Sequence, residues 1–257
     1  MRPLAELDAR GVTTVLLDID DTLTSGGKLT ARAYAALERL QSAGKRVVPV
    51  TGRPAGWCDH IARMWPVDAV IGENGAFYFW FDAAGLHRRF QDEPAVRNDK
   101  RVRLMAIAQR ILAAVPGSAL ASDQAYRETD IAIDYREDVV PLPIEAAQRI
   151  AAMMREEGLA AKISSIHVNG WFGEYDKLAM TRLLFAERFG RSLEETGKEV
   201  LFVGDSPNDA PMFSFFENSV GVANVRRFAI STLPRYVTSG EAGAGFEELV
   251  AYLLEVR

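Results

Sequence analysis

Gly11-Val-Thr-Thr-Val-Leu-Leu-Asp-Ile-Asp-Asp-Thr22 is the stretch that decides the fold. Its first seven residues are apolar or β-branched without alternation, the pattern of a parallel strand buried on both faces. The run ends abruptly in Asp18, Asp20 and Asp21, so carboxylates stand at the carboxyl end of a buried strand. In an open parallel sheet that edge is where ligands bind. An Asp-x-Asp pair also arises by chance, and a strand-end Asp often caps the next helix. Taken alone, the pair is as well explained by structure as by function.

Outward from this strand the same rhythm repeats. Thr30 is placed to cap a helix with Ala33, Leu37 and Leu40 on one stripe and Gly44 at its end. A second buried strand, Arg46–Val50, ends in Thr51-Gly52-Arg53, and Pro54 opens a helix running to about Trp65. A third, Asp68–Ile71, leads to Gly72-Glu-Asn-Gly75. Strands alternating with helices predict a parallel sheet. The rhythm breaks after Asp82. A long helix is expected from Pro94 to Val115, then alternation through Ile131, Ile133 and Tyr135, then a helix from Pro143 to about Glu157. Further extended segments end at Ile166–Phe172. Alternation there predicts a sheet with one face on helices and the other open. The original rhythm resumes with a helix from about Asp176 to Phe189 and a buried strand Glu199–Val203. That strand ends in Gly204-Asp-Ser-Pro-Asn-Asp209, followed by Ser219–Ala223 and a last amphipathic helix through Leu249 and Leu253. The expected organisation is a catalytic core of residues 1–82 and 173–257, with 83–172 inserted as a smaller α+β domain.

Composition narrows the function. The 257 residues carry 30 Lys plus Arg against 35 Asp plus Glu, a net charge of -5. This mild acidic excess gives no global reason to bind nucleic acid or an anionic membrane. With 48% hydrophobic residues the chain can bury a full core without staples. One cysteine, Cys58, excludes an internal disulfide and any multi-cysteine zinc site, and fits a reducing compartment. The N-terminal residues lack the basic-then-apolar pattern of a signal peptide, and no run approaches the ~18 apolar residues of a membrane span. A cytoplasmic protein is expected.

Three buried strands thus end in polar groups: Asp18 and Asp20, Thr51, and Asp205 with Asp209. That convergence favours a site over three coincidences. Carboxylates meeting at one edge repel unless a cation lies among them, and hard oxygen ligands without a His or Cys cluster point to Mg²⁺. Lys177, near a helix start, and the hydroxyl of Thr51 with backbone N–H groups near Gly52 suit a phosphate.

Asp18-Ile-Asp-Asp-Thr22, Thr51-Gly-Arg53, Lys177 and Gly204-Asp-Ser-Pro-Asn-Asp209 resemble the four ordered motifs of the haloacid-dehalogenase superfamily. The large insertion and Glu73-Asn-Gly-Ala76 are similar to the subfamily termed IIB, which includes sugar phosphatases and phosphomannomutase. The resemblance implies a Rossmann-like parallel core with an inserted α+β cap. It implies Asp18 as a nucleophile forming an aspartyl-phosphate and Asp20 as general acid, then base. Thr51, Gly52, Lys177 and Asn208 would hold phosphate, and Asp18, the Asp20 backbone carbonyl, Asp205 and Asp209 would surround Mg²⁺. Departures are Asp21, where these phosphatases often have Gly, and Leu178, where Gly commonly follows the lysine.

The implied activity is Mg²⁺-dependent hydrolysis of a small phosphomonoester, a phosphorylated sugar or related polyol or acid, by a monomer or homodimer. A phosphotransferase or phosphomutase would use the same intermediate. A non-catalytic metabolite sensor has no need of a nucleophile beside an acid, and a carbon–halogen hydrolase has no need of Asp20 or a cation site. His167, Asn169 and Trp171 share one face of the Ile166–Phe172 segment; the face is either exposed and polar or lies over the substrate. Phe77–Phe81 reads as strand and hinge core. Cys58 and His60, at i and i+2, do not share a helix face. His87-Arg-Arg89 and Lys100-Arg-Val-Arg103 read as solvated faces, and Gly240–Gly245 as a connection into the last helix.

Overall fold

The computed structural model describes residues 1–255. The chain forms β1 (Arg2–Pro3), β2 (Thr14–Leu17), α1 (Ala31–Ser42), β3 (Arg46–Pro49), α2 (Ala55–Met64), β4 (Val70–Gly72), β5 (Phe77–Asp82) and β6 (Gly85–Phe90). Then follow α3 (Pro94–Ala114), β7 (Ala119–Leu120), β8 (Asp130–Asp134), α4 (Ile144–Glu156), β9 (Ala160–Ile163) and β10 (His167–Trp171). The chain ends in α5 (Lys177–Arg188), β11 (Val200–Gly204), α6 (Ala210–Phe215), β12 (Asn218–Gly221), β13 (Tyr236–Val237) and α7 (Ala242–Glu255).

The main sheet has the order β1-β13-β12-β11-β2-β3, with every pairing parallel. Strand β2 lies inside it, which is why its residues are apolar without alternation: Val15 and Leu17 enter one core, and Leu16 enters the other. The first core is closed by α1 and α7. In α1, Ala33, Ala36, Leu37 and Leu40 are buried, spacings of three and four that make one helical stripe. The Thr30 hydroxyl starts that helix by accepting the Ala33 N–H at 3.1 Å. The opposite core packs α5 and α6, through Met180, Leu184, Phe185, Met212 and Phe213, against Leu16, Val48 and Phe202. An isolated parallel bridge between Val50 and Ile71 continues the sheet into the hairpin layer β4-β5-β6. Phe77 and Phe79 of that layer pack with Cys58 and Ile61 of α2, as hinge-side core.

The inserted elements build a second, antiparallel sheet, β7-β8-β10-β9, with α3 and α4 on one face. The alternation was expected to leave its other face open. Instead all five residues of β8 and all five of β10 are buried. The polar side of this sheet is turned towards the carboxyl edge of the main sheet, so polar character there marks an enclosed polar interface. We propose that 1–82 and 173–257 form the catalytic core and 83–172 the insert that carries the cap, its first strand, β6, pairing with β5 of the core. Among the described residues no helix is long and apolar enough to cross a membrane.

One close approach joins the layers. Gly75 has φ 108°, and a Cβ there would stand 2.1 Å from the Asp176 carbonyl oxygen, at the cap of α5. Gly75→Ala therefore combines a clash with backbone strain and should cost ~2–4 kcal/mol. At ~2–4 °C per kcal/mol for a chain of this size, thermal melting should fall by several degrees. Gly85→Ala, with φ 110° but nothing within 4 Å of its Cβ, should fall clearly less. Equal melting shifts would show that the contact with Asp176 carries no energy.

Candidate active site

Strand β2 delivers Asp18 to the carboxyl edge, β11 delivers Asp205, and the turn after β11 returns Asp209 beside both. One carboxylate oxygen from each lies within 4.8 Å of the others, and all three residues are buried. Lys177, at the first turn of α5, places its Nζ 2.7 Å from Asp18 Oδ1 and 2.7 Å from Asp209 Oδ1. Asp209 Oδ2 accepts the backbone N–H groups of Asp205 (3.0 Å) and Ser206 (3.1 Å). Both Asp209 oxygens are thus committed, and the residue braces the turn. The turn also requires Gly204, since a Cβ there would lie 2.4 Å from Asp209 Oδ2. Asp205 receives the Thr22 hydroxyl at 3.3 Å and the Asn224 amide at 3.0 Å.

Charge balance here is incomplete. Burial raises the Asp18 carboxyl to about 7; Lys177 opposes the rise while Asp209 and Asp20 add to it. Burial, then Asp18 and Asp209, push Asp205 well above the usual carboxylate range. Lys177 resists burial because the two carboxylates hold its proton. Hard oxygen donors with unbalanced negative charge fit a divalent cation of the Mg²⁺ type. Asp18, bonded to Lys177 through Oδ1 alone, is the member of the set with a free carboxylate oxygen.

The remaining sequence-derived candidates separate. Asp20 does not join the carboxylate cluster; its oxygens receive Arg53 Nε at 3.0 Å and Nη2 at 2.7 Å. Thr51 is fully buried, and its hydroxyl accepts the Arg53 N–H at 3.1 Å. Gly52, Asn208, His167 and Asn169 line a narrow inner cavity with Asp18 and Asp20. The Asn208 amide donates to Asn74 Oδ1 at 3.2 Å, and its oxygen accepts the Ser206 hydroxyl. Trp171 differs from the expectation and lies outside this lining. It sits where β10 leads towards α5, with its indole N–H donating to the Tyr175 carbonyl at 3.2 Å and its ring stacked on Tyr175.

Several further charged residues join the site. Arg53, the third residue of the Thr51-Gly-Arg53 motif, also binds Glu137 (2.6 Å) and Asp123 (3.2 Å) of the insert. Glu137 would be raised by burial, but His167 and Arg53 hold it at about 2. Arg127 is buried with Asp123 and Asp130 and donates to the Gly52 carbonyl at 2.9 Å. Asp130 in turn accepts the Asn169 amide at 2.8 Å. Glu73 accepts the N–H of Ala55 at the start of α2, and the N–H groups of Glu128 and Thr129 from the insert. In the sequence, Arg53 and Glu73 fall within the motifs Thr51-Gly-Arg53 and Glu73-Asn-Gly-Ala76, whereas Asp130 shows only as charge on the alternating segment 128–134.

A model of haloacid dehalogenase-like hydrolases matches residues 15–90. A phosphoglycolate phosphatase of Pyrobaculum neutrophilum is 29% identical over 95% of this chain and 96% of its own length. Two solved structures share the fold. A Thermoplasma acidophilum protein has a TM-score of 0.70 at 17% identity, covering 96% of this chain and 99% of that one. The sucrose-phosphatase of Synechocystis, solved with sucrose and phosphate, has 0.62 at 17%, covering 95% and 98%. Parallel α/β architecture with acidic strand ends under an inserted sheet defines the class as a capped α/β enzyme. Residues 15–90 are thus similar to the haloacid dehalogenase-like hydrolases, and the chain over nearly its whole length is similar to a phosphoglycolate phosphatase.

Glu73 yields a pH prediction. Burial and the neighbouring Asp130 raise its folded-state pKa from 4.5 to about 7, against the opposing pull of Arg127. The folded state holds that proton more tightly than the unfolded state. Stability from this group is therefore full below about 4.5 and is lost as pH rises to about 7. Glu73→Gln, which keeps the neutral shape, should flatten the fall in urea-unfolding free energy over that window. An unchanged slope would remove Glu73 as its source.

Proposed function

We propose that the chain is a Mg²⁺-dependent phosphatase acting on a small phosphomonoester through an aspartyl-phosphate on Asp18. The observation that carries this reading is the buried Asp18–Lys177 contact of 2.7 Å inside a carboxylate cluster, with Asp20 on the same inner cavity. A pure binding site for phosphate would not gather acids around the anion it must hold. The full-length phosphoglycolate phosphatase relatives favour a small phosphorylated acid as substrate; the sucrose-phosphatase likeness extends to fold.

In this mechanism the Asp18 carboxylate attacks phosphorus, and the bond to the leaving oxygen breaks. Asp20 gives that oxygen its proton, so the alcohol departs neutral. Asp20 then takes a proton from water as the water oxygen attacks the aspartyl-phosphate, releasing phosphate and regenerating Asp18. Lys177 neutralises charge on the phosphoryl oxygens, and Thr51, the Gly52 backbone and Asn208 orient them. Mg²⁺, held by Asp18, the Asp20 carbonyl and Asp205 with Asp209 behind them, would supply further neutralisation of the developing charge. The inserted sheet excludes water, and His167 and Asn169 line the inner cavity over the phosphoryl group. Arg53 orients Asp20.

A phosphomonoester panel assayed with Mg²⁺ and with EDTA tests the proposal. Phosphate release should require the cation, and Asp18→Asn should abolish it while circular dichroism stays native. Asp20→Asn should slow a sugar or acid phosphate by ~10²–10⁴-fold and an activated aryl phosphate less, since that leaving group needs little protonation. Cation-independent release, or more than a few per cent of activity in Asp18→Asn, would contradict the assignment.

A further inference from the structure

We propose that Arg136 selects substrates whose leaving group carries a carboxylate, an inference that rests on the phosphatase reading. The inner cavity at Asp18 adjoins an outer cavity of about 450 Å³, and Asp20, Arg53, Ser165 and Ile166 line both. The Asp20 carboxyl therefore stands at the boundary. With phosphate on the Asp18 side, the ester oxygen meets Asp20 and the rest of the leaving group occupies the outer cavity.

Arg136 is on the wall of that outer cavity. It is carried by a fixed loop, because the buried Asp134 carboxylate accepts the N–H groups of Arg136, Glu137 and Asp138, each at 2.8 Å. The loop sends Glu137 to Arg53, and Asp20 is bound to the same guanidinium. Asp21 also reaches this wall. Arg136 is exposed, forms no ion pair among the described residues and rests over the Tyr135 ring at 5.7 Å. The Ser165 hydroxyl, buried on the same wall, has no hydrogen-bond partner. A cation carried on a fixed loop and an unpaired hydroxyl beside the general acid suit a carboxylate, which accepts from both; a neutral alkyl or polyol group offers the guanidinium no charged partner.

Phosphoglycolate and ethyl phosphate differ only in a carboxylate in place of a methyl group, which makes them a direct test. Arg136→Gln should lower the ratio of kcat/KM for phosphoglycolate over ethyl phosphate by about tenfold or more, chiefly through KM, and Arg136→Lys should restore part of it. An unchanged ratio, or equal losses on both esters, would overturn the role of Arg136 while leaving the phosphatase reading standing. Parent enzyme that hydrolyses neither these esters nor any other phosphomonoester would overturn both.

Discussion

Burial of Asp18, Asp205 and Asp209 around one ammonium is the constraint on which the rest of the molecule depends. Like charges this close in a medium of low polarity are costly, and the cost is met only by fixed partners. Lys177 satisfies two of the carboxylates at 2.7 Å each. Backbone N–H groups of Asp205 and Ser206 satisfy the second oxygen of Asp209. These partners in turn dictate local structure: Gly204 must lack a side chain beside Asp209, and Gly75 must let the start of α5 approach so that Lys177 reaches the edge. Apolar faces of β2 and β11 then anchor the acids from below, through Leu16, Leu17, Phe202 and Val203. What stays unbalanced, the raised carboxyls of Asp18 and Asp205, is the electrostatic room for a divalent cation and a phosphoryl group.

The inserted sheet answers the same constraint from above. A phosphoryl site works best where water is excluded, because its electrostatic contacts strengthen in a low dielectric. Closing the site brings the polar face of β8 and β10 against the core, and each buried group on that face needs a partner. Arg127 links Asp123 and Asp130 to the carbonyl of Gly52, and Glu73 gathers N–H groups from both the core helix α2 and the insert. Arg53 joins Asp20 to Glu137 and Asp123. The orientation of the proposed acid–base residue is therefore tied to contacts with the insert.

The strands, the helices and the gathering of Asp18, Lys177, Asp205 and Asp209 were legible because each leaves a local mark. A doubly buried strand is apolar throughout, its end is punctuated by polar residues, and Thr30 announces its helix by the N-cap it forms. The helix expected from Pro94 to Val115 spans Pro94–Ala114 in the structure, for the same reason. The polar face of the insert was legible as a pattern and illegible as an environment. Asp130, Asp134 and Asn169 alternate as solvent-facing residues do, and nothing local distinguishes water from a facing layer of arginines. The contacts of Arg53 and Glu73 with the insert exist only once residues 70 and 55 positions along the chain are folded against them. Trp171 shares the strand face of His167 and Asn169, but periodicity says nothing about how far along that face the cavity extends.

The central claim is that Asp18 becomes covalently phosphorylated during turnover. Enzyme turning over a phosphomonoester with Mg²⁺ would be quenched in acid, reduced with borohydride, digested and sequenced by mass spectrometry. An acyl phosphate is reduced to an alcohol, so the account predicts homoserine at position 18, absent when substrate is omitted. Homoserine at Asp20, Asp205 or Asp209 instead, or none at any position in enzyme that is releasing phosphate, would contradict it.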